Sequence, residues 1–496
     1  MNACGAGTTY TERYRPQFHF TPEKGWMNDP NGLVTYDGEY HLFYQYLPET
    51  IDHRGAKHWG HAVSPDLVHW EHLPIALDPD QLGGIWSGSA VVDQKNSSGF
   101  QTGDEKVLVA IFTQEHEGHQ QQGIAYSNDR GRNWVMYPGN PVIPNPGVQD
   151  FRDPKVFWHD GSNRWVMVVA AGNRVMIHTS PDLRKWTYAS EFGELEGAHG
   201  GVWECPDLFE LPVDHNVENK RWVMLVSTGD GSPNGGSGTQ YFVGGFDGTH
   251  FINSNPHTTT LWLDYGRDNY AGITFSDVPK PDGRRIFLGW MSNWRYAEDV
   301  PTSPWRGAMT IPRELVLKTT HSRKVRLASL PVVELRVLRG KSLKVENRAI
   351  SDKTGLTIAD DMTNEAFEVL VEYEPGTASE FGLVVGNTSG EKTTIGYEVL
   401  AQRLFVDRRD SGMTDFGPDF ADSRHEVTQI SKSDLVKLDI FVDRSSIEVF
   451  ANDGNISITD LVFPRSPYKR LELYAEGGDV HLRQAEIWEI ESIWKE

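Results

Sequence analysis

Cysteine is almost missing from this chain. Cys4 and Cys205 are the only two among 496 residues, which leaves room for one bridge between them but excludes a disulfide framework. No Cys/His pattern has the spacing of a zinc site. The glycine-rich stretch GDGSPNGGSGTQ (229–240) is followed by no Walker lysine and no helical pattern, so it reads as a loop and not a phosphate cradle. His116 and His119 of HEGH lack the HExxH spacing and sit in a polar, Gln-rich turn. No metal and no organic cofactor is therefore expected. Apolar runs are short, and none approaches the ~20 residues that cross a bilayer. Basic residues are in deficit, 47 Lys and Arg against 69 Asp and Glu, for a net charge of −22. That balance excludes nucleic acid and anionic membrane as partners and suits a neutral ligand. The first residues, MNACGAG, lack the basic segment and apolar core of a signal peptide. Residues 1–9 read as a tail, and Asn2-Ala3-Cys4-Gly5 fits either the remnant of a lipoprotein cleavage site or a stretch without structure. Three Asn-x-Ser/Thr triplets, at Asn96, Asn387 and Asn455, are no more than chance supplies.

What is abundant is aromatic residues and glycine: 16 Trp, 17 Tyr, 22 Phe and 48 Gly. No amphipathic helix is legible, and short β-like runs favour an all-β fold. Five segments share one plan, a small or polar opening, an apolar run, a turn and a second apolar run. They open near Gly32, Ser87, Asp153, Cys205 and Ala271, roughly 50 to 65 residues apart, the range of propeller blades. Between them a second phrase recurs, SPDLVHWEHL at 64, SNDRGRNWVMY at 127 and SPDLRKWTYAS at 180, with a degenerate FDGTHFINS at 246. Trp70, Trp134 and Trp186 within it are assigned to packing. About four strands per unit and five units predict a five-bladed β-propeller over 10–325, with edges protected by radial repetition. Residues 326–343 read as a bridge. Alternating runs such as FEVLVEYEP and RLELYAEGG then predict a β-sandwich over 344–496.

Three of the five openings set an acid against a proline: Asn28-Asp29-Pro30, Arg152-Asp153-Pro154 and Glu204-Cys205-Pro206. Equivalent openings of different blades converge on one end of the central channel, so the repeat should bring together Asp29, Asp153 and Glu204. Asp29 and Asp153 stand directly before their prolines, whereas Glu204 stands one residue further back. Acids of different length and offset suit a retaining glycosidase, which needs a nucleophile and a general acid/base about 5 to 5.5 Å apart. Neighbouring anions and a partly apolar wall are expected to raise the pKa of Glu204 and keep it protonated as the acid.

With these motifs in view, the chain resembles glycoside hydrolase family 32, the family of invertases, inulinases and levanases. The resemblance rests on WMNDPNG (26–32), WGHAVSPDLVHWEHLP (59–74), WSGSAVV (86–92), FRDPKVFW (151–158), GGVWECPDLFEL (200–211) and LGWMSNW (288–294). It implies a five-bladed propeller followed by a β-sandwich. It also implies Asp29 as nucleophile, Glu204 as acid/base and Asp153 as transition-state stabiliser. Substrate contacts carried over by motif are Trp26, Met27, Asn28, Gln45, Trp59, Trp86, Ser87, Arg152 and Trp294. Position 86 is often Phe in levanase-like members and is Trp here, which bears on the rim of the pocket. The implied activity is exo-acting release of fructose from fructan polysaccharide, fructo-oligosaccharides or sucrose, with levan foremost. An endo-levanase, a fructosyltransferase and a non-catalytic fructan-binding protein are the alternatives. The implied location is extracellular or at the cell surface. The segment DRSSIEVFANDG (443–454) is read as structural or domain-packing, and oligomeric state is left open.

Overall fold

The architecture is drawn from a computed structural model, which describes residues 10–352, 355–360, 362–428 and 435–494. Among these, the single helical element is a 3-10 turn, Val333–Leu338; all other regular structure is strand.

The N-terminal part is the five-bladed propeller. Its first three blades are separate sheets of five, four and four strands, and blades four and five share a nine-stranded sheet. The last two are joined at one edge by a parallel pairing of Val213 with Leu317. The innermost strands are Gly25–Tyr36, Gly84–Asp93, Phe151–His159, Trp203–Val213 and Tyr270–Thr274, and the five openings read from the repeat all fall on them. Each packs against the next around the channel, and the fifth returns to the first. There the Thr35 N–H donates to the Ser276 carbonyl at 2.9 Å. Trp305 and Arg306, which lie in sequence between two strands of the fifth blade, run parallel to Gly25 and Trp26 and complete the first sheet. The innermost strands are buried along almost their whole length instead of on alternate residues, because neighbouring blades cover both faces.

The second recurring phrase is the turn between third and fourth strands. Asp66 Oδ1 accepts the N–H groups of Val68 and His69 at 3.0 and 2.8 Å. Asp182 does the same for Arg184 and Lys185 at 3.0 and 2.8 Å. The tryptophan that follows folds back, its indole donating to the carbonyl three residues earlier: Trp70 to Leu67, Trp134 to Gly131 and Trp186 to Leu183. In FDGTHF, Asp247 caps the N–H groups of Thr249 and His250, both at 2.7 Å. The three tryptophans, assigned to packing, thus clamp their own turns.

The C-terminal part is a sandwich of two six-stranded antiparallel sheets. Phe367, Val369, Val371, Phe381, Leu383 and Leu473 belong to one continuous core between them, supplied by the inward positions of alternating strands. The residues read as a bridge, 326–343, hold most of a strand paired to the propeller (Val325–Pro331), the 3-10 turn, and the start of a sandwich strand, Arg339–Ser351. The two parts are sewn together along Ile456–Leu461. Residues 263–268 run beside that strand, with Tyr265 N–H to Ser457 O at 2.8 Å and Asp268 N–H to Thr459 O at 3.0 Å. Gly266 is required at that crossing, since a Cβ there would lie 2.1 Å from the Thr459 carbonyl oxygen.

Candidate active site

Every innermost strand breaks register near the same end of the channel. The breaks lie between Met27 and Pro30, Ile85 and Gly88, Glu204 and Asp207, and Tyr270 and Ile273. In the third blade the break lies opposite Asp153-Pro154. In blades one, three and four the break falls at a proline, which has no N–H for the ladder and favours a bulge, and a bulge re-aims the side chain beside it. Asp153, Cys205 and Ala271 adopt left-handed φ of 65°, 46° and 55°, strained for residues with a Cβ and typical of functional sites. Five equivalent bulges thus turn Asp29, Ser87, Asp153, Glu204 and Tyr270 toward one mouth.

There they are linked. Asp29 Oδ2 accepts the Ser87 hydroxyl at 2.6 Å, and its Oδ1 accepts Asn28 Nδ2 at 2.8 Å. Cys205 joins two acids: its N–H donates to Asp153 Oδ2 at 3.0 Å, and its Sγ lies 3.7 Å from that oxygen and 3.6 Å from Asp29 Oδ2. Burial, and then the charges of Asp153 and Asp29, push the thiol well up, so it remains a donor. Arg152 donates from Nε and Nη2 to Glu204 Oε1 at 3.1 and 3.0 Å and from Nη1 to Asp150 at 2.7 Å. The Tyr270 hydroxyl donates to Glu204 Oε2. Asp153 is pushed up to about 7, by burial first; Arg152 opposes this, and the charges of Glu204 and Asp29 add to it. Among the crowded carboxyls, the rise thus falls on Asp153.

The mouth is a cavity of about 430 Å³ whose lining includes Asp29, Asp153 and Glu204 together with Asn28, Gln45, Trp86, Ser87, Arg152 and Trp294. Beneath the acids the channel pinches to a void of about 10 Å³ between Pro30, Pro154 and Pro206. A larger cavity of about 780 Å³ lies elsewhere along the same innermost strands, around Asp93, His159 and Asp277, and holds none of the three acids.

Three residues expected to touch substrate stand behind the wall instead. Trp26, Met27 and Trp59 are fully buried. The bulge that turns Asp29 inward leaves Trp26 facing blade five, stacked 6.1 Å from Trp294, with its indole donating to Asn28 Oδ1 at 2.7 Å. Trp59 donates to the Trp86 carbonyl at 3.0 Å. Both indoles thus support a lining residue. Conversely, the lining includes His53, Lys57, Glu115, Gln120 and Asp150, none of which the motifs single out. Gln120 directly follows the HEGH turn, so that loop borders the mouth. The glycine-rich loop reaches it too, since Ser237 Oγ accepts the Trp294 N–H at 3.3 Å. Tyr270 was findable in principle, because it occupies the fifth blade's copy of the position that yielded Glu204. Cys4 lies outside the described residues. Asn387 is buried, its amide donating to Glu391 and the Ser466 carbonyl at 2.8 and 2.7 Å.

Comparisons with known proteins agree with this geometry. Residues 19–329 match the family model described as Glycosyl hydrolases family 32 N-terminal domain, and residues 334–489 match Glycosyl hydrolases family 32 C terminal. The chain is 57% identical to a levanase of Bacillus subtilis over 98% of its own length and 72% of that protein. It is 40% identical to an extracellular exo-inulinase of Aspergillus awamori, over 98% of this chain and 96% of the other. The crystal structure of the exo-inulinase from Aspergillus awamori superimposes with a TM-score of 0.90 at 39% identity, covering 98% of this chain and 100% of that one.

Proposed function

Because the chain belongs to glycosyl hydrolase family 32, we propose that it is a retaining, exo-acting β-fructosidase. It releases fructose from the β-D-fructofuranosyl ends of fructans, levan foremost, with inulin and sucrose as further substrates. The observation that carries this reading is the joining of three carboxyls from three blades through Cys205 and Arg152 in the wall of one cavity. Asp29 attacks the anomeric C2 of the terminal fructofuranosyl unit while Glu204 protonates the departing oxygen. Water, deprotonated by Glu204, then attacks C2 of the covalent intermediate and releases fructose with its configuration retained. Asp153 bonds sugar hydroxyls and steadies the oxocarbenium-like transition state. Arg152 holds Glu204 in place, and Tyr270 holds its other oxygen. The indoles of Trp86 and Trp294 offer faces to the apolar C–H surface of the ring.

Exo action is supported by the size of the site, a cavity of about 430 Å³ that narrows below the acids and so suits a terminal furanose ring. Residues 10–325 carry the reaction, and 344–496 brace the propeller. The enzyme works outside the cell or at its surface, as the name of the Aspergillus relative suggests. Lipid attachment at Cys4 is the alternative to free release, and detergent fractionation separates the two. No helix among the described residues is long and apolar enough to cross a membrane. The deciding experiment is product analysis on levan and inulin over the first minutes. Fructose alone supports the proposal. Oligomers would indicate endo cleavage, transfer products at high sucrose would indicate a fructosyltransferase, and binding without product would indicate a lectin-like protein.

A further inference from the structure

We propose that Lys57 is a positioning residue for the nucleophile: its ammonium anchors the Asn28 side chain, and the Asn28 amide holds Asp29 in the cavity wall. This rests on the reading of Asp29 as the attacking group.

Lys57 precedes the strand His58–Ser64, and its carbonyl accepts the Ile85 N–H at 2.8 Å, so its backbone is pinned between blades one and two. The side chain runs inward and is 8% exposed. Its Nζ lies 3.3 Å from Asn28 Oδ1 and 3.0 Å from the His53 carbonyl. The Trp26 indole donates to the same Asn28 oxygen at 2.7 Å. Indole N–H and ammonium are donors only. The Asn28 oxygen must therefore face them, and its Nδ2 must face Asp29 Oδ1, which it meets at 2.8 Å. Ser87 holds the other carboxylate oxygen at 2.6 Å. Both oxygens of the nucleophile are thus tethered, one of them through Lys57.

A lysine is a costly way to satisfy the His53 carbonyl and one amide oxygen that already has an indole donor. No carboxylate among the described residues lies within 4.0 Å of Nζ, and a buried cation without a close counter-ion is disfavoured. Burial accordingly lowers its pKa to about 8, although Asp29, Asp52 and Glu298 act against that shift. Those three carboxyls face it from the first strand, from the loop before Lys57 and from a long loop between two strands of blade five; the His53 ring is itself hydrogen-bonded to Glu298. A charge retained against such a cost, beside the nucleophile, is the pattern of a functional group and not of a packing residue.

The test compares K57M and K57R in the full chain, measuring kcat and KM for fructose release, thermal stability, and the pH profile of kcat. K57M is expected to lose tenfold or more in kcat while KM stays within about threefold. Its melting temperature should hold or rise at pH 7, because the buried ammonium is gone; a residue with only a structural role would lower it. K57R should keep most of kcat and sustain it at pH 9, where Lys57 has lost its proton and arginine has not. A kcat for K57M within twofold of the native value overturns the proposal. So does an alkaline fall in K57R that superimposes on the native curve, which remains readable if K57M does not fold. D29N separates this inference from its premise. If D29N is active, the reading of the whole site falls; if D29N is dead and K57M fully active, only the role of Lys57 falls.

Discussion

The propeller mouth and the seam between propeller and sandwich are both built from buried acids, yet their surroundings drive them in opposite directions. At the mouth, Asp150, Asp153 and Glu204 gather around a single guanidinium, Arg152. Asp153, with only that shared cation beside it, is pushed up to about 7, by burial before anything else. At the seam each acid has its own partners. His19 is fully buried between Asp443 and Glu448, at 2.7 and 2.8 Å from its two ring nitrogens. With an acceptor at each nitrogen, the ring donates twice and is an imidazolium. Burial opposes that charge, but the two carboxylates outweigh it and raise the pKa to about 9. Arg313 bridges Glu448 and Asp264, and both acids are held down although burial alone would raise them. Arg408 bonds Asp268 at 2.6 Å, the Leu461 carbonyl at 2.9 Å and the Tyr296 hydroxyl at 2.8 Å. Saturated acids hold two domains together, whereas acids short of cations remain free to exchange protons and grip a substrate.

Exchanging one group in each region should break the comparison most sharply. Glu204→Gln keeps the shape of the mouth and removes its transferable proton. The expected result is a loss of 10³-fold or more in kcat/KM for fructan, about 4 kcal/mol of barrier, with the melting temperature almost unmoved. Full fructose release by this variant would refute the acid/base assignment. Arg313→Met should do the reverse. It strands Glu448 and Asp264 without their cation, an expected cost of about 3 to 5 kcal/mol in denaturant unfolding, while kcat per folded molecule stays near native. Equal loss of activity and stability in both variants would show that the two regions do not divide the work.

A smaller contrast comes from pH. His19 has a folded pKa above its unfolded one, so its stabilisation is complete below about pH 6.5 and is lost as pH rises through about 9. At 1.36 kcal/mol per unit this amounts to about 3 kcal/mol, and His19→Gln should flatten that part of the curve. Asp153 also has a folded pKa above its unfolded one, but its charged form is the one that costs. The cost grows as pH rises from 3.8 to about 7. Asp153→Asn should therefore match the native melting temperature near pH 4 and exceed it above pH 7. Melting curves of both variants from pH 4 to 9 check the pair, and slopes of the opposite sign would sink it.

Much of the mouth was legible because it is written locally and repeated. An acid against a proline at a blade opening marks a bulge, and Asp29, Asp153 and Glu204 meet because the ring closes. The clamp role of Trp70, Trp134 and Trp186 was legible for the same reason, since each is bonded within its own turn. Trp26, Met27 and Trp59 were not, because a motif names a residue without saying which side of a bulge its side chain takes. Lys57 and Asp150 went unseen because they reach the cavity from loops whose local sequence is ordinary, and Gln120 because it stands at the start of a strand, His119–Ser127, that carries no acid.

By itself the sequence determined the all-β class, the number of blades and the three acids at their openings, since strand period, turn chemistry and repeat length are properties of short windows. Only the tertiary structure decided what surrounds each charge. His19 meets Asp443 and Glu448 across 424 and 429 residues of chain, and Arg152 meets Glu204 across 52. Charge balance depends on neighbours in space, and those exist only once the ring of blades has closed and the sandwich has docked upon it.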